Sequence, residues 1–253
     1  MTNPAPGRRT FTHLRWFDEL GSTNTWLLES AGWGAPEGTV VVADRQSAGR
    51  GRLGRTWESG ESTGLLTSIL FRPHVPADEL FCVSALVALA ARDAIGSVAG
   101  VSVGVKWPND LVSDDQKLAG LLAEARGVGT AEVAVVVGIG INLSWPMPGE
   151  ADDLRATCLQ AVAGRPIERE RLLESMLDSL EGRRPRLDDP AGRQGLVAEL
   201  AACTATVGRR VRVELANESF SGVAVALDPK GRLEVDAVGG RRAISAGDVV
   251  HLR

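Results

Sequence analysis

One short stretch of the chain concentrates arginine and glycine in a way that suits anion binding. It reads Gly49-Arg50-Gly51-Arg52-Leu53-Gly54-Arg55, with Arg45 just before it. Guanidinium groups held this close repel one another unless an anion pairs with them, and their planar donors match carboxylate and phosphate. The stretch therefore predicts an anion-binding loop, with a solvated basic loop as the alternative.

The same stretch also has the G-x-G-x-x-G spacing of a dinucleotide-binding turn. That turn must open a helix and be followed by an acidic residue about 20 positions later. Here the next residues, RTWESGESTG, contain two more glycines and no helical period. We therefore do not expect a dinucleotide-binding fold.

A second motif contains two of the three lysines in a chain with 25 arginines. It reads Lys106-Trp107-Pro108-Asn109-Asp110-Leu111, followed by Lys117-Leu118-Ala119-Gly120. Pro108 cannot donate to a strand ladder, so it belongs at an edge or a bulge. A lysine at a strand end can stabilise negative charge that develops on phosphate or carboxylate. An ordinary exposed hairpin would carry the same turn residues.

Two further motifs combine small and polar residues. Gly138-Ile139-Gly140-Ile141-Asn142 ends the most apolar run of the chain, and Gly21-Ser22-Thr23-Asn24 precedes a short helical pattern. Glycines inside a strand indicate close approach of another group or relief of a crowded sheet crossing. Hydroxyls before a helix are ordinary caps, and a cap also presents backbone N–H groups to an anion.

The elements that must position these residues follow from the apolar pattern. Apolar runs predict strands at 38–43, 65–71, 103–111, 117–125 and 133–143, and helices at 78–95, 168–181 and 195–205. Ser22 or Thr23 should cap a short helix, and SDDQ at 113–116 predicts a hairpin turn. Residues 182–193 are predicted to be a connector. After residue 209, short strands separated by turns predict a small barrel, which at about 45 residues is expected to pack on the larger unit.

Composition excludes several classes of protein. The chain has 253 residues, 44% of them hydrophobic, and a net charge of −4, which argues against disorder and against a nucleic-acid-binding surface. Cys82, Cys158 and Cys203 form no CxxC pair, and the three histidines are scattered, so no zinc site is predicted. The N-terminus has no apolar signal region, and no apolar run spans a membrane, so we expect a cytoplasmic location.

Taken together, four motifs resemble the biotin protein ligase family, and they occur in the family's order. They are GSTN at 21–24, DRQSAGRGRLGR at 44–55, KWPNDL…KLAG at 106–120 and GIGIN at 138–142. The likeness is close over residues 17–142. It implies an α/β fold (α+β), with a mixed sheet flanked by helices in a class II synthetase-like catalytic domain at 1–205. A C-terminal SH3-like β-barrel domain would occupy 206–253.

The resemblance also implies a two-step ligase reaction. The biotin carboxylate attacks the α-phosphorus of ATP, and biotinyl-5′-AMP and pyrophosphate form. A lysine of a biotin carboxyl carrier domain of an acyl-CoA carboxylase, such as acetyl-CoA carboxylase, then takes the biotin and releases AMP. Mg²⁺ is expected with ATP, held mainly by phosphates and water, so its protein ligands stay unassigned.

The family's functional residues can be placed on matching positions of this chain. Lys117 and Arg52 would be catalytic. The resemblance assigns biotin binding to Ser22, Thr23, Asn24, Gln46, Arg50, Gly51, Arg52, Lys117 and Gly120. It assigns nucleotide binding to Arg52, Arg55, Trp57, Lys106, Asn109, Asp110, Lys117 and Asn142.

Three alternatives bear on this interpretation. Some family members carry an N-terminal DNA-binding unit, and about 16 residues before the first strand are too few for it. We therefore expect the short form, with no nucleic-acid partner, as a monomer or weak homodimer. Lipoate ligases and octanoyl transferases share the fold type, but the arginine loop and KWPND favour biotin. A non-catalytic module that binds biotin or docks a carrier is the alternative from another class, and Lys117 argues against it.

Overall fold

The structure is a computed structural model that describes residues 10–130, 132–145 and 155–252. Residues 1–9 belong to the N-terminal stretch in which no signal region is predicted, and they also begin the predicted domain 1–205. They lie outside the described residues, as do residue 131, residues 146–154 and residue 253, the last of the predicted domain 206–253.

In the described part of the chain, seven strands form one mixed sheet. They are β1 His13–Leu20, β2 Thr39–Gln46, β3 Gly64–Phe71, β4 Gly104–Lys106, β5 Asp110–Ser113, β6 Gln116–Arg126 and β7 Ala134–Asn142. The order across the sheet is β1-β2-β3-β7-β6-β5-β4, with β1 and β2 parallel and all other neighbours antiparallel. Every residue of β3 and β7 is buried, because these apolar strands are covered on both faces.

Helices cover the two faces of this sheet. Over the described ranges they are α1 Thr23–Gly32, α2 Phe81–Ala99, α3 Leu159–Ala163, α4 Arg169–Arg183 and α5 Pro190–Ala202. Leu27 and Ala31 of α1 pack on Val41, Leu70 and Val136 on one face. On the opposite face, α2, α4 and α5 share one apolar core with β2, β3 and β7. The predicted α/β class, with helices flanking a mixed sheet, is confirmed.

Helix α2 is long and apolar enough to cross a membrane by length and composition alone, with a mean hydropathy of 1.6 over an 18-residue window of residues 77–99. Its side chains, however, fill the core of the protein: thirteen of its nineteen residues are buried. It begins three residues later than predicted and ends at Gly100, whose φ of +71° places it in the left-handed region that terminates helices.

The strand predicted at 103–111 is wrong in one respect, because it is two strands. The chain reverses at Trp107-Pro108, where the peptide bond is cis, and β5 pairs back on β4 with Lys106 opposite Asp110. Proline has no N–H for the ladder, which favours a turn at this point. The next turn was predicted correctly, since Asp114 and Asp115 have φ values of +47° and +63° and connect β5 to β6.

The connector predicted at 182–193 is also wrong, because most of it is helical. A 3₁₀ turn at Arg184–Leu187 follows α4 directly, and α5 begins at Pro190 instead of near residue 195. Asp189 caps α5 by accepting from the Gly192 N–H, and proline is favoured at the first helical position. The arginines of this segment bind carboxylates, such as the pairs Arg184–Glu37 and Arg186–Glu199.

The C-terminal segment forms a second, antiparallel sheet. Its five strands are β8 Arg210–Glu214, β9 Ser219–Leu227, β10 Leu233–Ala237, β11 Gly240–Ile244 and β12 Asp248–His251, in the order β11-β10-β9-β8-β12. The predicted small β unit is confirmed, although β11 and β12 are edge strands and no closed barrel forms among the described residues. Its core includes a residue of the larger unit, Trp107, which is 2% exposed.

Candidate active site

A pocket opens on the α1 side of the large sheet. The N-terminus of α1, the middle of β6 and β7 and the arginine loop at 49–57 line it, and Asp248 of the C-terminal sheet closes one edge. Thirteen of the fifteen predicted site residues lie in its wall: Ser22, Thr23, Asn24, Gln46, Arg50, Gly51, Arg52, Arg55, Trp57, Asn109, Asp110, Lys117 and Gly120. Motifs that are far apart in the sequence therefore meet at one place.

The floor of the pocket is made of glycines. Gly120 of β6 and Gly140 of β7 are direct neighbours, and Gly138 lies one step along the same face. A Cβ atom on Gly140 would come within 2.5 Å of the Trp57 ring, and one on Gly138 within 2.2 Å of Asn24 Oδ1. The glycines of GIGIN thus admit an indole and an amide to the backbone, which was one of the two interpretations of this motif.

Neutral polar groups form one end of the pocket. Ser22 caps α1 through its Oγ, which accepts from the Thr25 N–H at 3.5 Å. Gln46 Oε1 accepts from both the N–H and the hydroxyl of Thr23, at 2.8 and 3.1 Å. This arrangement leaves the amide nitrogen of Gln46 as the end that can donate to a ligand. Such a set of hydroxyl and amide groups matches a neutral ring with hydrogen-bonding edges.

The arginine loop folds back on itself instead of opening a helix. The Trp57 N–H donates to the Gly49 carbonyl at 3.0 Å, and the Gly51 N–H donates to the Arg55 carbonyl at 2.7 Å. At its tip, Leu53 and Gly54 have φ values of +56° and +74°. The turn brings the three arginines of the loop to the pocket. This geometry agrees with the expectation that the stretch is not a dinucleotide-binding turn.

Cationic groups lie at the other end of the pocket. Lys117 Nζ is 2.8 Å from Asp110 Oδ1, and Arg52 Nη1 donates to Asn109 Oδ1 at 3.2 Å. Asn109 in turn donates to the Leu121 carbonyl at 2.7 Å, which fixes it against β6. Burial lowers the pKa of Arg52 from its ordinary value, opposed by Asp248 and Asp110. An anion that enters beside Arg52 would therefore compensate its lost hydration.

Trp57 covers the floor between the two ends. Lys117 Nζ lies 5.4 Å from the centroid of its ring, within the range of a cation–π contact. Its indole Nε1 is buried and has no hydrogen-bond partner among the described residues. A buried donor without an acceptor is costly, so it is a candidate contact for a ligand.

Two predicted nucleotide-binding residues do not line this pocket. Asn142 is buried at the end of β7, where its amide donates to the Thr157 carbonyl at 2.9 Å. Lys106 lies on β4, the edge strand of the sheet, and its charge acts on His251 of the C-terminal sheet. The strand reversal at Trp107-Pro108, which the sequence pattern did not reveal, places Lys106 on β4, with β5 between it and the β6 strand of Lys117.

Two acidic residues of the site were missed by the sequence analysis. Glu124 binds Arg50 at 2.5 Å and Asn24 at 2.9 Å, and Asp248 pairs with Arg55. The strand period of β6 places Glu124 on the same face as Gly120 and could have indicated it. No local pattern indicates Asp248, because its contact spans 193 residues of sequence.

The described residues contain no cluster of three or more histidine, cysteine or acidic side chains that could hold a metal ion on their own. The carboxylates in the pocket wall are Asp110 and Asp248. This donor set fits a magnesium ion that is held by one carboxylate together with phosphates and water, and it does not fit an all-protein site.

Comparison with known proteins agrees with this arrangement. Residues 16–142 match the biotin/lipoate A/B protein ligase family, and residues 206–252 match the biotin protein ligase C-terminal domain. A biotin--[acetyl-CoA-carboxylase] ligase of Mycobacterium tuberculosis is 37% identical over 243 residues, which cover 93% of this chain and 87% of that protein. The bifunctional ligase/repressor BirA of Bacillus subtilis is 33% identical over 239 residues, which cover 94% of this chain and 73% of that protein.

A solved structure is similar over nearly the whole chain. It is the biotin protein ligase from Aquifex aeolicus in complex with biotin and ATP, which is 28% identical with a TM-score of 0.80 and covers 96% of this chain and 100% of that one. The chain belongs to the biotin/lipoate A/B protein ligase family.

Proposed function

We propose that the chain is an ATP-dependent biotin–protein ligase that makes biotinyl-5′-AMP. The observation that carries the proposal is a single pocket with neutral hydrogen-bonding groups at one end and Lys117 and Arg52 at the other. In the first step a biotin carboxylate oxygen bonds to the α-phosphorus of ATP, and the bond from that phosphorus to the pyrophosphate oxygen breaks. Positioning and charge stabilisation suffice for this chemistry, so no protein nucleophile is required.

In the second step the acyl group moves to a protein. The amine of a lysine on a biotin carboxyl carrier domain attacks the acyl carbon of the mixed anhydride, an amide forms, and AMP leaves with the bonding electrons. The names of the relatives support a carboxylase as the source of this carrier. Because water competes with the amine, the arginine loop would serve to cover the anhydride.

The residues of the neutral end would bind the biotin rings. Ser22, Thr23 and Gln46 offer hydroxyl and amide groups to the ureido ring. Gly120, also in the wall, has no side chain and so leaves room for Trp57 and Lys117 beside the ligand. Asn24 and Arg50 complete this end, while Gly51 lets the loop backbone approach. The hydrogen bonds between Thr23 and Gln46 support these roles, because they hold the groups in fixed directions.

The residues of the cationic end would act on the reacting groups. Lys117 would bridge the biotin carboxylate and the α-phosphate, and Arg52 would stabilise the charge on the phosphate. Trp57, Arg55, Asn109 and Asp110 would line the nucleotide side, where they already form the pocket wall. Lys106 and Asn142 lie outside this wall. Their roles stay predictions.

Magnesium would enter with ATP. Asp110, one of the two carboxylates in the pocket wall, would hold Mg²⁺ together with the phosphates of ATP and water. When bound, Mg²⁺ neutralises phosphate charge and so favours attack by a carboxylate anion.

We also propose the division into a catalytic domain at 1–205 and a C-terminal domain at 206–253. The start of the second family match at residue 206 supports this boundary. We further propose action in the cytoplasm as a monomer or weak homodimer without a nucleic-acid partner, and the net charge of −4 is consistent with the last point.

The experiment that tests the function is pyrophosphate release from ATP with biotin, with lipoate and with no acid. We expect pyrophosphate release with biotin, and no release with lipoate or in the absence of an acid. Release with lipoate instead would move the chain to the lipoate branch of the family, and no release with either acid would favour a binding module. A carrier domain added to the first mixture should gain the mass of one biotin in amide linkage.

A further inference from the structure

The pocket cations are not equivalent, because most of them are already neutralised. Three of the four face a carboxylate: Arg50 faces Glu124, Lys117 faces Asp110, and Arg55 faces Asp248. Arg52 is the exception among the described residues, since it donates to the Asn109 amide oxygen and the Gly247 carbonyl, and Asp248 and Asp110 act on it only through their charges. The pocket cation without a directly paired carboxylate therefore lies at the end where the reaction is proposed.

Glu124, which lies outside the pocket wall, supplies the carboxylate that pairs with Arg50. It lies on β6 between α1 and the arginine loop, with a side chain that is 26% exposed. One oxygen, Oε2, accepts from Arg50 Nη2 at 2.5 Å and from Asn24 Nδ2 at 2.9 Å. A single carboxylate thus fixes a loop guanidinium and a helix amide at the same end of the pocket.

The Asn24 amide has no N–H group left for a ligand. Its Nδ2 donates one hydrogen to Glu124 and the other to the Leu122 carbonyl at 3.0 Å, and its Oδ1 accepts from Ser68 at 2.6 Å. A primary amide has only two N–H donors, so both are used by the protein. Asn24 is 3% exposed and fits only because Gly138 has no side chain. Its arrangement is that of a support for neighbouring groups.

We propose that Glu124 is a positioning residue that sets the direction in which the acid substrate binds. It acts through Arg50, whose charge it cancels and whose guanidinium it holds at the ring end, with Asn24 as a second anchor. The ring end then carries no net charge and selects a neutral bicyclic head group, while the substrate carboxylate is drawn to Arg52, the cation without a directly paired carboxylate. This inference rests on the proposed function, because it takes biotin as the acid.

A purely structural role for Glu124 makes a different prediction. A brace between α1 and β6 would affect folding, and its loss would lower thermal stability without distinguishing one end of the ligand from the other. A positioning role at the ring end affects every ligand with the rings and does so whether or not the ligand carries a carboxylate. The thermal midpoint separates these two cases, and biotin methyl ester, which keeps the rings and lacks the free carboxylate, separates an effect at the ring end from one at the carboxylate end.

The test is calorimetric binding of biotin, biotin methyl ester and ATP to the full chain and to Glu124→Gln. The variant keeps the shape of the side chain and removes its charge. It should weaken biotin and the ester by the same factor, about tenfold, which is the scale of a lost hydrogen bond to a charged group at a partly exposed site. Affinity for ATP and the thermal midpoint should stay unchanged. Glu132→Gln is the matched control, because Glu132 is an exposed carboxylate outside the pocket.

Two further variants locate the effect. Arg52→Ala should weaken biotin more than the ester, because Arg52 is assigned to the carboxylate end. In an Arg50→Gln background, Glu124→Gln should lose most of its effect. Equal binding by Glu124→Gln and the unaltered chain, loss for biotin but not for the ester, or an undiminished effect without Arg50 would each overturn the inference alone. No binding of biotin by the unaltered chain would overturn the proposed function and the inference together.

Discussion

Gly140→Ala tests whether Trp57 and the pocket floor act together. A Cβ atom at this position would lie 2.5 Å from Trp57 Cε2 and 2.6 Å from Cζ2. Carbon atoms in contact are normally about 3.5–4.0 Å apart, so the indole must move by about 1 Å. Forcing an extra methyl group into a packed site costs about 1–3 kcal/mol. Because the ring borders an open pocket, we expect it to swing away from the sheet.

The displacement should appear in both stability and activity. We expect a lower urea midpoint and, because Trp57 is proposed to contact the nucleotide, a KM for ATP about tenfold higher, which corresponds to about 1.4 kcal/mol. Pyrophosphate release at varied ATP measures the second effect. Gly182→Ala is the matched control, since a Cβ there meets no atom within 4 Å and the position lies in α4.

A double variant decides whether the indole is the cause. In a Trp57→Ala background the clash is absent, so Gly140→Ala should cost nothing further in stability and nothing further in KM for ATP. Equal costs of Gly140→Ala with and without the indole would refute the proposed contact. So would an unaltered midpoint in the single variant, because it would mean that the ring does not rest on the glycine.

Three other predictions concern single residues. Lys117→Ala should reduce pyrophosphate release about a hundredfold, the scale of about 3 kcal/mol for one charge-stabilising donor; an unchanged rate would remove Lys117 from the mechanism. Arg52→Gly should still form biotinyl-5′-AMP but release it, so free adenylate measured by chromatography should rise above the parent level. Burial, with Lys106 and Arg209 nearby, lowers the pKa of His251 from 6.5 to about 4. The unfolded chain therefore takes up the proton first, and stability should fall by about 1–2 kcal/mol as the pH drops from 7 to 5. Urea unfolding of His251→Gln should show a flatter dependence on pH, and an equal slope in both proteins would contradict the assignment.

Local sequence patterns predicted most elements around the site. The cap at Ser22, the buried strand that ends in GIGIN and the hairpin turn at Asp114-Asp115 each depend on residues within one turn or one strand. Their physical causes, a hydroxyl acceptor, apolar runs and residues that tolerate positive φ, act over a few positions. These features could therefore be predicted from one sequence.

The parts that were missed depend on contacts between distant segments. The reversal at Trp107-Pro108 is stabilised by a hydrogen bond in which Trp107 Nε1 donates to the carbonyl of Gly231 at 2.9 Å, 124 residues away in the sequence. The role of Glu124 requires α1 and the arginine loop to meet over β6. Neither the spacing of apolar residues nor the turn residues predict such long-range contacts, because the pattern within each segment does not indicate its distant partner. The helical part of 182–193 was missed for a different reason. Asp189 and Pro190 are typical helix-start residues, but the Arg- and Gly-rich composition of the segment favoured a connector.

The C-terminal sheet contacts both halves of the site, which limits what its removal can reveal. Trp107, two residues before Asn109, is buried in the core of this sheet. The backbone N–H of Trp107 donates to Thr206 Oγ1 at 3.0 Å. On the loop side, Arg52 donates to the Gly247 carbonyl at 3.4 Å. Deletion after residue 205 would expose an indole and release both segments at once, so lost activity would follow from misfolding alone. Asp248→Asn leaves Trp107 and Arg52 in place and weakens the pairing of this sheet with Arg55 of the loop, and it therefore tests the loop contact of the sheet separately.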